Sequence, residues 1–270
     1  MGGNKSSSMI KSLLGIKAGG FDADAQAFID AAGITDETQQ NAINQLVIDL
    51  HGYSLWASMI AVYPFVGGTA FTHKWNLVDP RDLDAAHRLT YQGSDAITHS
   101  STGAKPTGRS YTKMHFIPNT NWSSDNDAHI SYYARDLTNS GVSDLEIGDP
   151  SDSKTYLAIK YFGVGNHTIT NINNTGLHDV WSSPTTGHSL TTRTGSSSYK
   201  FIYPNQSETT ISTSSTTRSS QDLYLFGRPS GEKCTKECAF ASIGYGLTKT
   251  EANNLQTAVQ TFNTSLSRQV

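Results

Sequence analysis

Hydrophobic periodicity along the chain switches from three-four spacing to alternation and back again. Near the N-terminus Ala25, Phe28, Ile29 and Ala32 recur on one helical face, with Asp24 placed as the cap and Gly33 as the stop. Asp36 followed by Gln39 predicts a capping box for a second helix from Glu37 to about His51, with Ile43, Leu46, Val47 and Leu50 as its apolar face. After a break at Gly52, Tyr53, Leu55, Trp56, Met59 and Ile60 continue the apolar supply. The run from Tyr63 to Gly68 then ends the helical region in a turn.

Beyond Asp79 and Pro80 the period becomes two. Candidate strands are Ala85–Tyr91, Tyr111–Ile117, His129–Arg135, Leu145–Gly148, Tyr156–Phe162, His167–Ile172, His188–Thr194, Tyr199–Tyr203, Glu208–Ile211, Leu223–Gly227 and Ala239–Gly244. Most are bounded by Gly, Pro, Asn, Asp or Ser, and no helix intervenes, which predicts a mainly β chain folded as an antiparallel two-sheet sandwich. Ile130, Tyr132 and Ala134 alternate with Ser131, Tyr133 and Arg135, the pattern of a half-buried strand. The last strand turns at Gly244 and Gly246 into a helix with a second capping box, Thr248 with Glu251. Ala252, Leu255, Val259, Phe262 and Leu266 form its apolar stripe. About two heptads make a marginal coiled coil, so the stripe is expected to pack on the chain's own body, against the N-terminal helices.

The domain layout expected from these patterns is an anchoring arm over residues 1–20, a helical segment over 21–68 and a sandwich ending in a helix over 69–270. The arm is rich in Gly and Ser around an apolar knot of Met9, Ile10, Leu13, Leu14 and Ile16, and Gly2 with Ser6 formally matches a myristoylation pattern. Charged residues are sparse at 16%, and the net charge is −3. Without a cluster of Lys and Arg to displace counterions, nucleic acid is not an expected partner. No run approaches the ~18 apolar residues of a membrane span.

Candidate chemistry is thin. Asp144, Glu146 and Asp149 bracket one predicted strand; acids two apart face the same side at roughly 6–7 Å, near the separation of a glycosidase carboxyl pair. Asp149 would join that face only through a bulge at Gly148. The order resembles the acid-hydrophobe-acid strand of laminarinase-type glucanases with Asp and Glu exchanged, and the alternative is a set of acids on an exposed strand. Cys234 and Cys238 fit free thiols, a small loop disulfide or half of a metal site whose other ligands are not found. The nine histidines are scattered singly, Gly163-Val164-Gly165 reads as a hairpin turn, and Trp122, Trp181 and Tyr133 are either sugar-stacking or core residues. No catalytic, metal or cofactor set is assigned.

The stretches FDADAQAFIDAAGITDETQQNAINQLV, YPFVGGTAFTHKWNLVDPRDLDAAHRL, THSSTGAKPTG and FASIGYGLTKTEANNLQTAVQTFNTSLSRQV resemble a recurrent module of bacteriophage virion proteins. That resemblance implies a concanavalin A-like jelly roll and a place in a head fibre, tail fibre or other particle surface. It supplies no catalytic residues. The chain departs from the pattern at Ser94-Asp95-Ala96-Ile97, where a Gly-Gly-Trp-like turn is expected, and in its two cysteines. The resulting expectation is a non-enzymatic structural protein of the virion, held to other virion proteins through residues 1–20, self-associating, and able to bind a host-surface glycan. The alternatives are an adhesin whose main role is glycan binding, or a glycoside hydrolase.

Overall fold

The computed structural model describes residues 20–138, 141, 144–161 and 165–270. The expected arm, except Gly20, and the expected turn at Gly163-Val164 lie outside them. The chain opens with α1 (Ala23–Ala32) and α2 (Glu37–Gly52), followed by β1 (Met59–Tyr63) and the short α3 (Ala70–His73). Next come β2 (Thr90–Gly93), β3 (Ile97–Ser100), β4 (Gly103–Pro106), β5 (Ser110–Lys113), α4 (Pro118–Asn121), β6 (Ala128–Ala134) and β7 (Ile147–Gly148). Strands β8 (Thr155–Tyr161), β9 (His167–Ile172), β10 (His178–Trp181), β11 (Gly187–Arg193), β12 (Tyr199–Ile202), β13 (Glu208–Ile211), β14 (Tyr224–Leu225) and β15 (Cys238–Gly244) lead to α5 (Lys249–Ser265).

Two antiparallel sheets form the body. One runs β13-β12-β11-β6-β15-β4-β3, with β1 also on β15; the other runs β10-β9-β8-β7-β14-β5-β2. The chain is thus a mainly β, two-sheet sandwich with N-terminal helices and a C-terminal amphipathic helix. Ile130, Tyr132, Ala134, Ala241 and Ile243 of the first sheet meet Ile147, Leu157, Ile159, Ile172 and Leu225 of the second in the core between them.

The first sheet is covered on its other face too. Leu46, Val47 and Leu50 of α2 and Leu255, Val259 and Phe262 of α5 close over Tyr133, Leu190, Ile202 and Phe240. Every residue of β6 is therefore buried, where alternation had predicted a half-buried strand. Ser131, facing the helices, meets its polar need at the Ser242 hydroxyl, 2.6 Å away. The stripe of α5 packs within the chain, as expected.

Several boundaries differ from the expectation. Asp22, rather than Asp24, caps α1. At α2, Asp36 accepts from the Gln39 amide as predicted, but the Gln39 side chain accepts from Gly67 N at 2.7 Å, so the box is half formed. The Thr248–Glu251 box is complete. Met59–Tyr63, expected within the helical segment over 21–68, is a strand: its register puts Tyr63 opposite Ala241 and Met59 opposite Gly244. Residues 84–86 form a 3-10 turn rather than the start of a strand. Gly244 and Gly246 are sites of close backbone approach. A Cβ there would stand 2.0 Å from Ser58 O and 2.1 Å from Arg193 O respectively.

Candidate functional site

The three sequence-predicted acids do not face solvent. Asp144 forms an isolated parallel bridge with Lys233, and Leu145 N donates to Lys233 O at 2.7 Å. That bridge carries the chain on to Lys236, whose ammonium lies 3.0 Å from Glu146 Oε1 and 3.5 Å from Asp144 Oδ2. All three side chains are wholly buried. Glu146 N donates to Leu157 O while Ile147 pairs with the same residue, so two positions oppose one, as in a bulge. Glu146 there accepts from Ile159 N at 2.5 Å and from the Cys234 thiol at 3.4 Å.

Burial raises the Glu146 carboxyl above its usual range, against the pull of Lys236. Burial would lower the Lys236 ammonium, but Glu146, Cys234 and Asp144 outweigh it and hold the group charged. Asp149 joins neither partner. Its carboxylate accepts from the backbone amides of Asp152, Ser153 and Thr155 at 3.0, 2.7 and 2.8 Å, which shapes the turn into β8. Neither expectation for this stretch therefore holds: the acids do not decorate an exposed strand, and they do not form an open carboxyl pair across which a glycosidic bond could lie.

The other residues singled out are also placed by packing. Trp122 is buried and donates its indole N–H to Gly244 O at 2.8 Å. Tyr133 is buried under α5, and Trp181 packs partly buried against Phe201 and Tyr203. Cys234 and Cys238 are free and buried. Histidines distant in sequence do meet: His73 Nδ1 and His99 Nδ1 are 2.9 Å apart, one donating to the other. Asp22, Asp24 and His51 bring ligand atoms within 4.8 Å of one another, but Asp22 caps α1 and Asp24 lies 3.1 Å from His51 Nε2.

An open groove of about 710 Å³ lies where loops meet the β2-β5-β14 end of the second sheet. Gly93 and Ser94 of the β2–β3 turn, Arg109, Tyr111 of β5, and the segment from Arg228 to Lys233 line it. The segment is held internally. Arg228 N donates to Glu232 O, the Arg228 guanidinium grips the Glu232 carboxylate, and Arg228 Nη1 donates to Asp149 O at 2.7 Å. Ser230 Oγ adds a bond to Pro150 O at 2.7 Å. Opposite, Asp95 Oδ2 accepts from Arg109 N at 2.6 Å and fixes that rim. Tyr111 stands edge-on to Tyr224 with ring centroids 5.7 Å apart, both half-exposed. A rigid rim, an accessible aromatic ring and convergent hydrogen-bonding groups can seat a small polar ligand. Periodicity could not find the groove because its residues come from three separate segments.

No protein-family model matches the chain, and no curated protein does. Among solved structures it is similar to domain 4 of AbnA, an extracellular GH43 arabinanase from Geobacillus stearothermophilus, solved in complex with arabinotriose. The identity is 15%, covering 74% of this chain and 98% of that domain, with a TM-score of 0.50. It is also similar to the binding domain of Paraclostridial Mosquitocidal Protein 1, at 9% identity over 77% of this chain and 53% of that one, TM-score 0.46. For a Trypanosoma rangeli sialidase the figures are 9%, 82% and 39%, with a TM-score of 0.46. At such identity the likeness to the arabinanase domain is one of fold, a two-sheet antiparallel β-sandwich.

Proposed function

We propose that this chain is a carbohydrate-binding sandwich displayed on a bacteriophage particle, as part of a fibre, spike or decoration, and that it binds without hydrolysing. The observation that carries the binding reading is the groove beside Tyr111, in which an accessible aromatic ring stands next to charged and hydroxyl side chains on a fixed rim. Sugars are recognised by such pairings of a stacking face with directional hydrogen bonds. The sandwich shared with an arabinanase domain solved with arabinotriose is compatible with that role. The burial of Asp144 and Glu146 with Lys236 supports the non-hydrolytic part of this reading, because it removes the carboxyl pair singled out in the sequence from reach of a substrate.

The virion assignment rests on the resemblance of four long stretches to virion modules, with residues 1–20 as the attachment arm and self-association of the chain as part of the assembly. A glycan array with purified protein tests the binding reading, and Tyr111→Ala is expected to abolish the signal. Immunogold labelling of purified particles tests the location. No label on particles would remove the virion assignment, and no binding across a broad array would remove the glycan reading.

A further inference from the structure

The glycan reading can be carried to a ligand class by asking where the cations of the chain go. Arg193 and Arg268 are buried and donate to backbone carbonyls, and Lys160 reaches Leu137 O at 3.1 Å. Outside the groove, the remaining Lys and Arg side chains among the described residues lie within 4.0 Å of a carboxylate. Two cations of the described chain have no such partner, Arg109 and Lys233, and both line the groove.

The local carboxylates do not balance them. Glu232 is held by Arg228, and the one other carboxylate at the rim, Asp95, accepts from the Arg109 backbone amide and attracts both Arg109 and Lys233 from a distance, one negative charge against two positive ones. The groove therefore carries a surplus of positive charge in a chain whose net charge is −3. A guanidinium and an ammonium that share one distant carboxylate and make no contact ion pair, beside an aromatic platform, complement an anion attached to a sugar ring.

We infer that the groove takes anionic saccharides, the acidic group seated by Arg109 and Lys233 and the ring lying against Tyr111. This inference rests on the glycan-binding reading and narrows it. The acid is a carboxylate, as in a uronic acid, or a phosphate ester, since both offer paired oxygens to a guanidinium.

The test is one array carrying oligogalacturonides, phosphorylated hexoses and neutral oligosaccharides, probed with three proteins: the unaltered chain, the Arg109→Ala/Lys233→Ala double variant and Tyr111→Ala. All three substitutions are at groove-lining positions outside the core. The unaltered chain is expected to bind one acidic series at least about tenfold more tightly than neutral sugars, and to lose that margin as salt is raised. The double variant is expected to keep only residual neutral binding, whereas Tyr111→Ala loses both. Equal binding of neutral and acidic sugars, or an acidic preference that survives in the double variant, would overturn the inference while leaving the glycan reading in place. No binding to any series would overturn both. The acidic series that binds identifies the acid group.

Discussion

Lys236 Nζ lies 3.0 Å from Glu146 Oε1, with both side chains removed from solvent. One ammonium thus serves two buried carboxylates, since Asp144 is 3.5 Å away on the same nitrogen. The charges offset one another in the interior: Glu146 also takes Ile159 N and the Cys234 thiol, and the Lys236 backbone is fixed by Tyr132 OH, which donates to Lys236 O at 2.9 Å. The cluster pins the segment around Lys233 against the second sheet.

Removing the shared ammonium should hurt more than removing either acid. Lys236→Met leaves two carboxylates without their cation and is expected to cost about 3–5 kcal/mol. Glu146→Gln keeps the shape and leaves an Asp144–Lys236 pair, so its cost is expected to be clearly smaller. Urea midpoints for the two variants measure the order; the reverse order would mean that Lys236 is not the hub.

Acid should destabilise the fold through three histidines. Burial lowers His73 and His188 to about 3 and His129 to about 4, from an ordinary 6.5. For a base depressed in the folded state, the unfolded chain binds more protons, so stability is full above pH 6.5 and falls as pH drops towards 4. Each group contributes a slope on the order of 1 kcal/mol per pH unit in that window. Thermal melts between neutral pH and the acid limb check the slope, and His129→Asn should flatten it.

Arg268 ties the C-terminus to the sandwich. Its guanidinium donates to Phe65 O, Pro64 O, Ala239 O and the Asn263 side chain at 2.7, 2.6, 2.9 and 2.8 Å. Arg268→Ala is expected to cost about 3 kcal/mol or more, because several buried acceptors are stranded at once. Arg268→Lys should not rescue it, since an ammonium cannot span the same fan of carbonyls. Differential scanning calorimetry of both variants settles the point.

The thiols should be silent in the native state. Burial, reinforced at Cys234 by Glu146, raises both well above the ordinary thiol range. A chromogenic disulfide reagent is expected to label neither cysteine until denaturant is added. Rapid labelling of the native protein would contradict their burial.

Helix α5 offers a graded test of local against tertiary stabilisation. Thr248→Ala removes half of the capping box and is expected to cost about 0.5–2 kcal/mol. Leu255→Ala opens a cavity facing Leu46, Val47 and the first sheet and is expected to cost about 2–5 kcal/mol. Chemical denaturation of each variant gives the comparison.

Much of the fold was legible where a local rule acts alone. The Gly33 stop of α1, the Asp36 cap of α2, the Thr248–Glu251 box of α5, and strands such as Glu208–Ile211 and His167–Ile172, follow from neighbours within a few residues. Met59–Tyr63, Ile97–Ser100, Gly103–Pro106 and His178–Trp181 were not legible as strands. The first is wholly apolar and reads equally as helix, and the others are short, polar segments whose strand character comes from their partners.

The sequence by itself determined a mainly β sandwich flanked by amphipathic helices, because binary patterning and capping chemistry are encoded at short range. The tertiary structure decided which side chains share a space. It sank Asp144 and Glu146 onto Lys236, some ninety residues away, covered both faces of β6, and brought Arg109, Tyr111 and Lys233 to one groove. Contacts between distant strands depend on which edges pair and how the sheets stack, and that information is spread over the whole chain rather than written in any one stretch.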